Sequence, residues 1–180
     1  MTPDRRFERL TLAAFATRVA VFPWSRTITA VHLHHTFRPD HKSWAGEPTV
    51  YAMWRYHTRD NGWSDIAQHV TIAPDGGVWL GRDWNRAPAS SAGFNGTSAA
   101  GPFMLETVGN FDVGHDRLDG AQRVSVFGVV AAVQHRFQLP PDSLRFHRQL
   151  NSPKTCPGSS LDYARVLAEL IAYRTAGVCP

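Results

Sequence analysis

Between Phe146 and Gly158 the chain sets an imidazole (His147), an ammonium (Lys154) and a thiol (Cys156) among Pro153, Pro157 and Gly158. Proline and glycine at that density exclude a regular helix or a central strand, so the stretch reads as a loop. Polar groups on a loop pinned between regular elements are where binding and catalysis concentrate. A second set of imidazoles, His32, His34 and His35, closes an apolar, β-branched run from Thr27 to Leu33. Imidazole together with thiolate suits zinc, and three protein ligands with water in the fourth position make a catalytic rather than a structural centre. A structural site would want four ligands, usually in Cys-x-x-Cys pairs, and the sequence has none. His34, His147 and Cys156 supply three, with His32 and His35 as competing ligands.

These residues need elements to position them. Thr27–Leu33 reads as a buried strand ending in His34-His35-Thr36, with His32 and His34 on one face and His35 on the other. Leu12, Phe15, Val19 and Phe22 fall on one face of an N-terminal helix. Val50, Met53, Trp54 and His57 mark a second helix, ended by Asn61-Gly62. Ile66–Ile72 and Val78–Leu80 read as strands joined by the turn Pro74-Asp75-Gly76-Gly77. Asp83–Pro102 is a long loop, and Phe103–Gly109 a strand with one charge, Glu106, in its middle. A helix over Asp119–Phe137, a short strand Leu144–Phe146 and a last helix from about Ser159 complete the chain. Strands alternate with helices, so the expected class is α/β: a central mixed sheet flanked by helices, in a single domain.

The net charge of +4 is spread along the chain. Nucleic acid is therefore not expected as a partner, whereas an acidic polymer would suit the charge. Two cysteines, Cys156 and a near-terminal Cys179, argue against a disulfide framework and for a functional thiol at Cys156. Arg5, Arg6 and Arg9 ahead of Leu10–Ala16 mimic a short signal peptide, but Glu8 and Arg18 interrupt it, and the helix is the expectation. No apolar run reaches the ~20 residues needed to span a bilayer. The expected location is cytoplasmic, or the cell wall reached by a phage-type or dedicated secretion route. A monomer is expected.

The order of short motifs goes further. Val31-His32-Leu33-His34-His35-Thr36, Gly62-Trp63-Ser64-Asp65-Ile66-Ala67-Gln68-His69, Pro74-Asp75-Gly76 and Gly81-Arg82-Asp83-Trp84-Asn85 come first. Gly93-Phe94-Asn95, Val108-Gly109-Asn110-Phe111 and His147…Lys154-Thr155-Cys156-Pro157-Gly158 follow. The series resembles the zinc-dependent N-acetylmuramoyl-L-alanine amidases (type 2 amidases) and the peptidoglycan recognition proteins, over residues 28 to 173. The resemblance implies a catalytic core over residues 27–175 behind an N-terminal helical extension over 1–26. It also implies zinc at His34, His147 and Cys156, with peptidoglycan or a muropeptide as partner.

By the same resemblance, zinc-bound water would cut the amide between N-acetylmuramic acid and L-alanine. Glu106 would act as base and Lys154 would stabilise the oxyanion. Two departures stand out: Gln68 replaces a family tyrosine, and Ser90 replaces a histidine. The first leaves Glu106 to handle protons. Asn95, Trp54, Trp84 and His35 are the expected substrate contacts. The competing expectation is a non-catalytic peptidoglycan-binding recognition module.

Overall fold

A computed structural model describes residues 5–151 and 153–177; Cys179 lies outside them. In chain order the elements are β1 (Arg9–Leu10), α1 (Leu12–Val21), β2 (Thr27–His35), α2 (Glu47–Arg55), β3 (Val70–Ile72) and β4 (Val78–Leu80). Then follow β5 (Ala100–Thr107), α3 (Gly120–Arg136), β6 (Leu144–Phe146), α4 (His147–Leu150) and α5 (Tyr163–Thr175). The strands form one mixed sheet in the order β1-β4-β3-β5-β2-β6. β3, β5, β2 and β6 run parallel, and the antiparallel β4 and β1 close one edge.

Alternation along the strands divides the sheet into two faces. Leu33, Phe103, Leu105, Leu144 and Phe146 point into the main core, which α1, α3 and α5 cover. α3 is buried around most of its surface, as befits the central helix of that layer. The predicted face of α1 is the one used, with Phe15 and Val19 buried and Thr11 capping its first turn. The opposite face carries His32, His34, Met104 and Glu106. It is only partly covered by α2, which packs through Val50 on Phe7 and Ile66. The uncovered remainder is a cleft.

Several elements differ from the sequence expectation. Ile66–Ile72 pairs as a strand only from Val70. The Asp65 and Ile66 carbonyls instead accept from the buried guanidinium of Arg82. β5 begins at Ala100, inside the expected loop, and lies in the interior of the sheet between β3 and β2. The loop after β6 opens with a helical turn, α4, started by Gln149 reaching back to the Phe146 N–H. α5 begins only at Tyr163, where Asp162 accepts from the Arg165 N–H as its cap. β1 was not anticipated; it pairs residues 9–10 with β4 and ties the N-terminal extension to the sheet. No helix of the described residues is long and apolar enough to cross a membrane.

Candidate metal centre and cleft

The carboxyl ends of β2, β5 and β6 meet at one end of the sheet. His34 comes from the last turn of the pleat in β2, and His147 follows β6 directly. Cys156 enters from the loop beyond α4. Their donor atoms all lie within 4.8 Å of one another. The His34 and His147 ring centroids are 4.3 Å apart. Two imidazolium rings could not share that space. Burial in fact holds His34 well below its ordinary pKa and lowers His147 as well, so both are neutral, as metal ligands must be. His32, which competed for the role, stays buried on the same face outside this cluster, and His35 presents its ring elsewhere.

Cys156 is held from several sides. Its Sγ accepts from the His35 backbone N–H at 3.4 Å, an interaction that favours thiolate. Its carbonyl accepts from the Arg148 N–H at 2.9 Å, and the Arg148 guanidinium donates to the carbonyls of Thr155, Gly158 and Leu161. Asp112 accepts from the Ser159 N–H at 2.8 Å and from the Thr155 hydroxyl at 3.3 Å. The glycine of the Cys-Pro-Gly sequence is required: Gly158 has φ +127°, and a Cβ there would lie 2.3 Å from the Phe111 carbonyl. In the absence of a cation burial pushes the thiol up. Tetrahedral zinc sets its donors roughly 3.5 Å apart. Two neutral imidazoles and a thiol already within 4.8 Å therefore fit one zinc ion after a small contraction.

Glu106 lies beside His34 across the β2–β5 pair and alone among Gly101–Thr107 keeps some exposure. It faces the cleft, and its charge reaches the Cys156 thiol. Burial raises its carboxyl to about 8. Lys154 stands exposed on the same wall. The candidate metal pocket, about 340 Å³, opens past His57 and Glu106 into a groove of about 610 Å³ between the sheet end and α2. Arg38, Met53 and Tyr56 line that groove.

Residues 24–159 match the sequence pattern of the N-acetylmuramoyl-L-alanine amidase family. The chain belongs to this family. It is 31% identical over 107 residues to peptidoglycan-recognition protein SC2 of Drosophila melanogaster, covering 59% of this chain and 54% of that one. It is 29% identical over 136 residues to the human N-acetylmuramoyl-L-alanine amidase, covering 73% of this chain and 22% of that protein. The amidase-family chain thus spans about half the length of the recognition proteins it matches. Among solved structures, Drosophila PGRP-LB in complex with tracheal cytotoxin superposes with a TM-score of 0.66 at 20% identity, over 79% of this chain and 82% of that one. The amidase LysC of Clostridium intestinale superposes with a TM-score of 0.63 at 22% identity, over 82% and 87%. At these identities the superpositions establish the shared architecture.

The expected substrate contacts of this amidase-family chain fare unevenly. His35 lines the metal pocket, with Nδ1 accepting from the Phe111 N–H at 3.2 Å. Trp84 is 4% exposed in the main core, stacked on Trp24 at 5.4 Å, so it offers no face to a ligand. Trp54 packs with Tyr51 on the satellite core beneath α2 and is not among the residues lining the groove. Asn95 spends its amide oxygen on the Ser91 N–H and lies outside the cleft lining. Gln68 is fully buried, donating to Thr71 Oγ1 at 2.8 Å, whereas Ser90 does line the metal pocket. His57 and Trp63 were missed. His57 Nδ1 accepts from the Ala67 N–H at 3.2 Å and burial lowers its pKa to about 4, so the neutral ring turns an Nε2–H toward the cleft. The available signal was a polar residue ending the Val50, Met53, Trp54 stripe.

Proposed function

We propose that the chain is a zinc-dependent N-acetylmuramoyl-L-alanine amidase acting on peptidoglycan or its fragments. The observation that carries the reading is the convergence of His34, His147 and Cys156 within 4.8 Å, beside a carboxyl held near neutrality at the mouth of a groove. Zinc held by these three residues would polarise the scissile carbonyl and lower the pKa of water to about 7. Glu106 would accept the proton of the attacking water and return it to the leaving amine. A carboxyl near 8 in the metal-free fold suits that exchange, because the best general acid–base has a pKa close to the working pH, and a cation beside it would lower the value. Lys154 would bring an exposed ammonium of the pocket wall to the oxyanion, offsetting the charge that a thiolate ligand donates to the metal. The 610 Å³ groove takes the stem peptide, with Arg38 on its wall to meet a peptide carboxylate.

The rival is a recognition module that binds the same polymer without cutting it. Retention of all three ligands and of Glu106 supports the enzyme. The deciding experiment pairs metal analysis of the purified protein with release of free peptide stems from sacculi. Stoichiometric zinc with stem release establishes the amidase; tight sacculus binding without release establishes the module.

A further inference from the structure

The two imidazoles of the cluster have buried polar neighbours from outside the three candidate ligands. His34 Nε2 lies 3.3 Å from the hydroxyl of Ser91, a fully buried residue of the loop before β5. A neutral imidazole has one N–H and one lone pair, so the partner of one nitrogen decides the role of the other. If Nε2–H donates to Ser91 Oγ, Nδ1 keeps its lone pair and is the nitrogen free to bind a metal. Ser91 is itself anchored. Its N–H donates to Asn95 Oδ1 at 2.9 Å, and the Asn95 carbonyl accepts from Arg26 at 3.1 Å. The Arg26 guanidinium, 1% exposed, also donates to Thr97 and to Pro102 in β5, at 2.8 and 2.9 Å.

The same loop reaches the second imidazole. Asn151 Nδ2 donates to the Ala92 carbonyl at 3.3 Å. Its amide oxygen is buried with no donor in bonding geometry, and Asn151 sits one helical turn after His147, its N–H donating to the His147 carbonyl at 3.0 Å. An orphaned amide oxygen is costly unless something claims it. A ring N–H of His147 turned from the metal would do so.

We propose that the turn Ser91–Asn95 is the outer shell of the metal centre. Ser91 is the positioning residue that holds His34 as its Nε2–H tautomer with Nδ1 toward the metal, and Asn151, tied to the same turn, does so for His147. This rests on reading His34, His147 and Cys156 as a metal site. A metal-ligating histidine almost always donates its other N–H to an acceptor, and losing that acceptor typically costs 10–100-fold in metal affinity. The arrangement also explains Asn95 without a substrate: its side chain closes the turn that presents Ser91.

Two measurements on the full chain test this without turnover. Zinc affinity, read by competition with a chromophoric chelator, should fall by roughly 10–100-fold in Ser91→Ala. The urea midpoint of the chelator-treated variant should meanwhile stay close to that of chelator-treated wild type. Unchanged zinc affinity would overturn the proposal. Independently, the imidazole nitrogen spectrum of metal-free wild type should show His34 as the Nε2–H tautomer, and an Nδ1–H tautomer would overturn it even if Ser91→Ala fails to fold. Wild-type protein that takes up no zinc would sink the metal reading itself, a failure distinct from normal wild-type affinity that Ser91→Ala leaves untouched.

Discussion

Replacing Glu106 by glutamine keeps its shape and removes its charge, and the consequence can be worked out before any substrate is added. The carboxyl ionises near 4.5 ordinarily and near 8 in the metal-free fold, because burial penalises the charge. Between those values the folded state holds a proton that the unfolded chain has lost. Stability from this group is thus full below about pH 4.5 and is lost as pH rises through about 8. At about 1.4 kcal/mol per pH unit the loss is at most on the order of 5 kcal/mol, less whatever hydration the cleft allows the carboxylate. Buried histidines work in the opposite sense. His32, His35 and His57 are held near 4 by burial, so their contribution is present above 6.5 and lost as pH falls through about 4. The difference between wild type and Glu106→Gln removes that background. Urea unfolding of both chelator-treated proteins should give nearly equal stabilities at about pH 5 and a Gln variant several kcal/mol more stable at about pH 8.5. A difference that does not change with pH would refute the burial argument. In the zinc-loaded protein the same substitution should lower turnover by about 10²–10⁴-fold with zinc content unchanged, and near-normal turnover would remove Glu106 from the chemistry.

Cys156→Ser should lose most of the zinc and most of the activity by metal analysis, whereas His32→Ala should keep its zinc. Lys154→Ala should retain zinc and lose about 10²–10³-fold in turnover, the usual cost of one oxyanion donor. Arg26→Met should leave the Asn95, Thr97 and Pro102 carbonyls unsatisfied and lower stability by roughly 2–4 kcal/mol in urea unfolding, with weaker zinc binding as a second readout. Arg38→Ala should raise KM more than it lowers kcat, because it touches the groove and not the metal pocket.

The three donors that converge, His34, His147 and Cys156, were legible because donor type is a property of the residue itself, and because a strand end and a Pro-Gly loop are both visible as local patterns. Glu106 was legible as an anomaly, a charge inside the apolar run Phe103–Val108. What escaped was whatever depends on tertiary placement. Trp84 and Trp54 have the chemistry of a sugar platform, and only packing reveals that one lies in the main core and the other in the satellite core. Arginine is ordinarily a surface residue, yet Arg26 and Arg82 are both buried and donate to backbone carbonyls of loops. Asn95 drew notice through its Gly-x-Asn setting, but the group it serves, Ser91, is a small residue with no signal of its own.

β6 is a three-residue edge strand paired only to β2, yet it leads directly into His147. Local opening in native proteins begins where few packed contacts hold an element. An ion gripped by His34 and His147 would tie this edge to the strand beside it, and Cys156 would add the following loop. Removing the ion should then speed hydrogen exchange at the amides of Leu144–Phe146 and the Cys156 loop while leaving those of α3 slow. The centre would serve as the fastener of a short edge seam as well as the seat of the chemistry.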